Sequence, residues 1–216
     1  MKAHAEFTAL ITGERERRDN FKTLLSSVLP RPIAFVSTIS AKGVPNLAPF
    51  SFFNGVGSNP PAVMFSPCTR ADGTSKDTIV NLREVGEFVV NVVPFAIRDA
   101  MNEASFPYEP DVDEFEAAGF TALSSRFVRP SRVAESPVHM ECKLLQIVPV
   151  GEGPLCANIC IGKILCFHVA DDYLLPDATV DVERIDLVGR LGGDGYATIR
   201  DRFALPKPTQ AASVKG

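Results

Sequence analysis

Between Arg31 and Ser66 the chain sets down three apolar, β-branched or aromatic runs in quick succession: RPIAFVSTIS (31–40), LAPFSFFN (47–54) and AVMFS (62–66). The first two are separated by AKGVPN, which carries turn chemistry, and the third follows the Asn59-Pro60-Pro61 break. Such runs with such punctuation read as short strands, the first pair as a hairpin. Further extended stretches follow at FVVNVV (88–93), FTALSSRFV (120–128), HMECKLLQIVPVG (139–151) and CANICIGKILCFHV (156–169). Two short helices interrupt them. One spans Asp77 to Glu84, with Ser75 and Asp77 as cap residues, Ile79, Val80 and Leu82 as its apolar side and Gly86 as its stop. The other runs from Pro94 to about Ala104, with proline at the first helical position. The acidic PYEPDVDEFEAAG (107–119) reads as a solvated surface loop with a helical turn. Its carboxylates lack the spacing of a calcium loop. The class is therefore mostly β, a barrel or sandwich partly covered by a few helices.

At 216 residues, 45% of them hydrophobic, the chain is long enough for one full core. We divide it into an N-terminal segment (1–22), a single domain (23–205) and a flexible tail (206–216). A net charge of -4 argues against nucleic acid as a partner, because backbone binding replaces counterions with lysine and arginine. The opening residues lack the pattern of a secretory signal, and no apolar run reaches the length of a membrane span, so a cytoplasmic location and no membrane partner are expected. Cys68, Cys142, Cys156, Cys160 and Cys166 are then expected as reduced thiols. Cys156, Cys160, Cys166 and His168 fall on one face of an extended strand. Even so, Cys160 and Cys166 would lie roughly 20 Å apart, too far for one zinc ion. No metal is expected.

The GxGxxG, Walker, HExxH and GxSxG motifs are all absent. What the apolar runs carry instead is small polar residues: Ser37 and Thr38 in the first strand, Asn46, Ser51 and Asn54 around the second. Buried polar groups need partners. Either these residues cap strand ends and turns, or they meet the edge of a planar heteroaromatic ligand, with Ala48 and Pro49 letting backbone approach a ring. In the loop TSKDT (74–78), Lys76, the hydroxyls of Thr74, Ser75 and Thr78 and a helix start make a candidate phosphate site, with a solvated cap as the alternative.

These residues resemble the flavin reductase-like FMN-binding split barrels, the group that includes flavoredoxin. The resemblance rests on RPIAFVSTIS (31–40), NLAPFSFFNGV (46–56), PPAVMFS (60–66), SKDT with NLREVGEFVVNVV (75–93) and RLGGDGY (190–196), in that order along the chain. It implies a six-stranded antiparallel Greek-key split barrel that dimerises with itself and binds FMN near the subunit interface, with FAD admitted as a substrate. Transferred to this chain, it implies that Ser37, Thr38, Asn46, Leu47, Ala48, Ser51, Phe53 and Asn54 line the flavin. Ser75, Lys76 and Thr78 would hold its phosphate, assisted by Arg31, with Arg190 and Tyr196 near the pocket. The activity implied is hydride transfer from NADH or NADPH to flavin, the protein positioning and tuning the cofactor rather than supplying an acid or base. A flavin-dependent monooxygenase is the implied partner, and an electron carrier with a protein redox partner is the alternative. His168 is a candidate modulator of reduced flavin or, alternatively, a hydrogen-bonded strand histidine.

Overall fold

The computed structural model describes residues 5–208. Residues 1–4, with His4, and residues 209–216 of the expected tail lie outside the described residues. The elements are α1 (Arg17–Ser27), β1 (Arg31–Pro32), β2 (Ala34–Ile39), β3 (Pro45–Phe50), β4 (Phe53–Ser58), β5 (Pro61–Phe65), α2 (Asp77–Val85), β6 (Glu87–Asn91), α3 (Arg98–Glu103), α4 (Glu114–Ala117), β7 (Ala122–Leu123), β8 (Arg132–Val133), β9 (Val138–Val150), β10 (Ala157–Val169), β11 (Val188–Arg190) and β12 (Tyr196–Thr198). No helix among the described residues is long and apolar enough to cross a membrane.

Seven strands form one antiparallel sheet in the order β3-β2-β6-β9-β10-β5-β4. Its edge strands, β3 and β4, are consecutive in the chain, with only Ser51 and Phe52 between them. Laid flat, a sheet of that width would hold its edges roughly 29 Å apart, whereas the connection can span about 11 Å. The sheet must therefore curl until its edges meet, which makes it a barrel. The sheet has seven strands rather than the expected six, because the run read as one strand over 47–54 bends at Ser51–Phe52 into two.

Alternation along β2 divides the interior in two. Ala34 and Val36 join Phe50, Phe65, Phe88 and Cys142 inside the barrel, closed at one side by Ile79 and Leu82 of α2. Ile33 and Phe35 face the other way, into a second cluster with Leu47, Met101, Phe115 and Val133. Inside the barrel the rings of Phe50 and Phe88 each pack against Phe65 at 5.3 Å between centroids. Gly162 of β10 makes room for this stack: a Cβ there would sit 2.3 Å from Phe88 Cζ.

Several local expectations change. The extended stretch at 120–128 keeps only β7 as strand; beyond it the backbone turns so that the N–H groups of Arg126 and Phe127 reach the Glu141 carboxylate, at 2.8 and 2.6 Å. The acidic segment is not all solvated, since Glu114 and Phe115 of α4 are buried under β3, with Asp113 capping the helix through the Phe115 N–H at 2.8 Å. The second helix begins later than Pro94, as a 3-10 turn at Phe95–Ile97 leading into α3. Helix α2 ends on Gly86 at φ 71°, as expected, but starts after Lys76 without a side-chain cap. RLGGDGY is a hairpin turn between β11 and β12, which with β1 form a separate three-stranded sheet.

Candidate functional site

A groove runs over the outer end of β3 in two adjoining halves, each of about 320 Å³. Asn46, Ala48, Arg70, Lys76, Thr78 and Glu114 wall the first half, and Phe106 and Tyr108 overhang it from the loop after α3. Arg31, Ser51, Phe52, Arg190 and Tyr196 wall the second. Ser105 lines both, and Ala48 and Pro49 carry the floor from one to the other. The groove exists because β3 is a sheet edge: no strand among the described residues pairs its outer side, and the loops around α2, α3 and β11–β12 surround it.

The first half is polar and cationic. Asn46 Nδ2 donates to Thr78 Oγ1 at 3.2 Å; both side chains are buried behind the groove wall they line, and the threonine hydroxyl keeps its own proton. Arg70 is fixed by Asp77 Oδ2 at 2.6 Å and by the Ser75 carbonyl. Lys76 lies over the Phe50 ring at 5.6 Å and, among the described residues, has no carboxylate partner. Glu114 closes the floor: its Oε2 accepts the Leu47 N–H at 3.2 Å. Burial pushes this carboxyl up to about 7, against the pull of the backbone N–H groups it accepts.

At the other end two guanidiniums meet. Arg31 is 3% exposed and donates to the carbonyls of Leu25, Val28 and Leu191 and, at 3.4 Å, to Ser51 Oγ. Arg190 lies over the Tyr196 ring at 4.4 Å and donates to the Tyr196 hydroxyl and the Gly193 carbonyl. Burial first, and then the charge of Arg190, pulls the Arg31 guanidinium below its ordinary value. Among the described residues neither arginine pairs with a carboxylate. Lys76 at one end and Arg31 with Arg190 at the other are thus cations that no carboxylate among the described residues pairs, whereas Arg70 is held by Asp77; this is the chemistry of a site for an elongated anionic ligand.

Of the residues singled out in the sequence, Arg31, Asn46, Ala48, Ser51, Lys76, Thr78, Arg190 and Tyr196 come together here. Others do not. Ser37 is buried and donates to the Ser131 carbonyl, and Thr38 accepts Asn81 Nδ2 at 3.0 Å, so both are satisfied inside the fold. The Leu47 side chain belongs to the second core cluster, and only its N–H reaches the groove floor. Phe53 packs against the barrel core, Asn54 bonds the Gly55 N–H on exposed β4, and Ser75 Oγ accepts Arg83 at 3.0 Å. His168 lies elsewhere: its Nε2 is 2.6 Å from Glu141 Oε1, beside His139 at 6.2 Å between ring centroids. Burial pushes the Glu141 carboxyl up, but the Arg126 and Phe127 N–H groups and His168 outweigh it and hold the group below the usual range. His168 is thus a hydrogen-bonded histidine of strand β10, outside the groove.

Several groove residues were not anticipated, among them Phe52, Ser105, Phe106 and Tyr108 and two charged ones, Arg70 and Glu114. Arg70 stands in the same glycine-containing loop as Lys76 and could have been noted as a second cation there. Glu114 had no such signal, because Asp111, Asp113 and Glu116 around it look the same until α4 docks.

A model of the flavin reductase like domain matches residues 25–181. The chain belongs to this family. An uncharacterized protein of Halalkalibacterium halodurans is 42% identical to this flavin reductase-like chain over 195 residues, 89% of it and 93% of the relative. Nitrilotriacetate monooxygenase component B from Bacillus cereus superposes with a TM-score of 0.88 at 34% identity, covering 94% of this chain and all of that one. The 2-nitrobenzoate 2-nitroreductase NbaA of Pseudomonas fluorescens gives 0.87 at 29% identity over 96% of this chain and all of that one. The barrel is therefore the flavin reductase split barrel, on a protein of an oxidoreductase family.

Proposed function

We propose that the protein is an FMN-dependent flavin reductase that takes hydride from NADH or NADPH and hands the electrons on through flavin. The observation that carries this is the groove with Lys76 at one end, Arg31 and Arg190 at the other, none of them paired with a carboxylate among the described residues, and strand β3 between them. FMN is elongated in the same way, with a phosphate at one end and a polar-edged ring system at the other. Arg70, Lys76 and the Thr78 hydroxyl suit the phosphate; Ala48 and Pro49 leave the floor low enough for a ring; Arg31 and Arg190 face the far end. The donor set therefore fits the cofactor. When bound, the flavin supplies two-electron chemistry that no side chain here provides. The protein's part is to bind and orient. Glu114 fixes the backbone of β3 through Leu47, Asn46 aims the Thr78 hydroxyl, and Phe106 and Tyr108 cover the first half against water.

A relative named as component B of a monooxygenase supports a flavin-using monooxygenase as partner, with FAD accepted as an exchanging substrate. A second copy of the chain is the other partner we propose. Apolar side chains at Leu145, Leu165 and Phe167 on β9 and β10 and at Phe21 and Leu24 of α1 are exposed on the single chain and would be covered by it.

The test is anaerobic titration of FMN-loaded protein with NADH and NADPH. Bleaching of the flavin absorbance by either donor is expected. Absorbance that resists both would leave electron exchange with another protein as the role. Lys76→Ala is expected to weaken FMN binding about ten- to a hundredfold, the value of a charge-assisted phosphate contact. Unchanged affinity would place the phosphate elsewhere.

A further inference from the structure

Beyond Arg190 lies another cleft, of about 480 Å³, larger than either half of the groove. It opens from the second half, with Asn102, Arg190 and Tyr196 common to both. Its far wall is unusual for a surface that does nothing. The Phe95 ring carries Arg98 at 4.0 Å and Arg200 at 4.6 Å. Arg200 is neutralised by Asp186 through two bonds of 3.0 and 2.7 Å. Arg98 is held flat by stacking and by a 2.9 Å bond to the Phe95 carbonyl. Its acidic contact among the described residues, Asp99 at 3.1 Å, has a side chain 84% exposed, so solvent screens that pair. The result is a pre-positioned guanidinium on one side of the cleft and Arg190 on the other. Tyr196, covered by Arg190, and the Thr198 side chain lie between them.

Two planar cations lining one cleft suit two phosphates, because each guanidinium has five N–H donors and keeps some beyond those that hold Arg98 to Phe95 and Asp99 and Arg190 to Tyr196 and Gly193. The volume exceeds what inorganic phosphate alone would fill and lies within the range of small-molecule sites. We infer that this cleft binds an adenosine diphosphate moiety, that of the nicotinamide donor, with Arg98 and Arg190 on its phosphates, so that the nicotinamide enters the groove past Asn102 and Tyr196. This rests on the flavin reading of the groove. Asp99 and Asp194 at the cleft add negative charge that a ribose hydroxyl tolerates better than a further phosphate.

The test uses ADP-ribose, which carries the diphosphate but cannot transfer hydride, titrated by calorimetry into FMN-loaded protein. Arg98→Gln is expected to weaken ADP-ribose about ten- to a hundredfold while FMN affinity stays within about twofold. Arg98→Lys is expected to restore part of the loss. If thermal melts show Arg98→Gln unfolded, Thr198→Glu places a carboxylate in the same cleft without touching the Phe95 stack and is expected to give the same loss. Equal ADP-ribose affinity in wild type and folded variants, or no binding to wild type, would overturn the inference. So would a loss of FAD affinity in Arg98→Gln with NADH binding to the FMN-loaded protein unchanged, which would assign the cleft to flavin. Failure of FMN to bind wild type would sink the flavin reading alone; ADP-ribose titrated into flavin-free protein then still decides the cleft by the same criteria.

Discussion

Replacing Glu114 by glutamine is expected to stabilise the protein above pH 7 and to change little near pH 5. Glu114 is 8% exposed on the underside of β3, and burial, with smaller contributions from Asp77 and Asp113, pushes its carboxyl from 4.5 up to about 7. Between those values the folded chain holds a proton that the unfolded chain has released. Stability therefore falls as pH rises through that window, and the full cost is present above about 7. A rise of this size corresponds to roughly 3 kcal/mol, an upper bound because water reaching the groove would lessen it. Glutamine cannot ionise, yet its carbonyl can still accept the Leu47 N–H that Glu114 now accepts at 3.2 Å. Urea unfolding of both proteins at intervals from about pH 5 to 8.5 measures the difference. The curves are expected to coincide at the acid end and to separate by up to about 3 kcal/mol at the alkaline end. Stabilities that run parallel in pH would show that Glu114 titrates normally and that the burial argument is wrong.

Gly162→Ala forces a methyl to within 2.3 Å of Phe88 Cζ at the centre of the barrel, and we expect a loss of about 1–3 kcal/mol or more in denaturant midpoints. His168→Gln is expected to leave FMN affinity unchanged while lowering stability, since the imidazole bonds the buried Glu141 carboxylate beside His139 and lies outside the groove; weakened flavin binding with normal stability would place His168 in the site. Thiol titration of the native protein is expected to label at most Cys68, Cys156 and Cys166. Cys142 and Cys160 are fully buried, and burial raises both thiols, Cys160 to about 12; rapid labelling of all five without denaturant would contradict the packing.

The strand runs were legible because apolar periodicity is a local property. Phe88 to Asn91, Val138 to Val150 and Ala157 to Val169 need no partner to declare themselves extended, and Gly86 marks a helix end by its own backbone freedom. The stretch at 120–128 misled for the same reason. Its composition favours a strand, but the Glu141 carboxylate, distant in sequence, takes the N–H groups that a ladder would have used. The candidate site divides likewise. Lys76 and Thr78 stood out because a cation and a hydroxyl at a helix start are neighbours in the chain.

Whether a polar strand residue faces the groove or the interior could not be read locally. Ser37 and Thr38 resemble Asn46 in the sequence, yet β2 is covered on both faces, whereas β3 is an edge with one side open. That difference is created only when β3 and β4, two residues apart, become the opposite margins of one curled sheet. By itself the sequence determined the β class, the helix read from Asp77 to Glu84 and the Lys76 loop before it, all consequences of neighbours within a few residues. The tertiary structure decided the rest: which edge stays open, that Arg31 and Arg190 meet 159 positions apart without a carboxylate, and that Glu114 alone of its acidic neighbours joins the groove floor. Those facts depend on contacts between distant segments, and such contacts exist only once the barrel has closed.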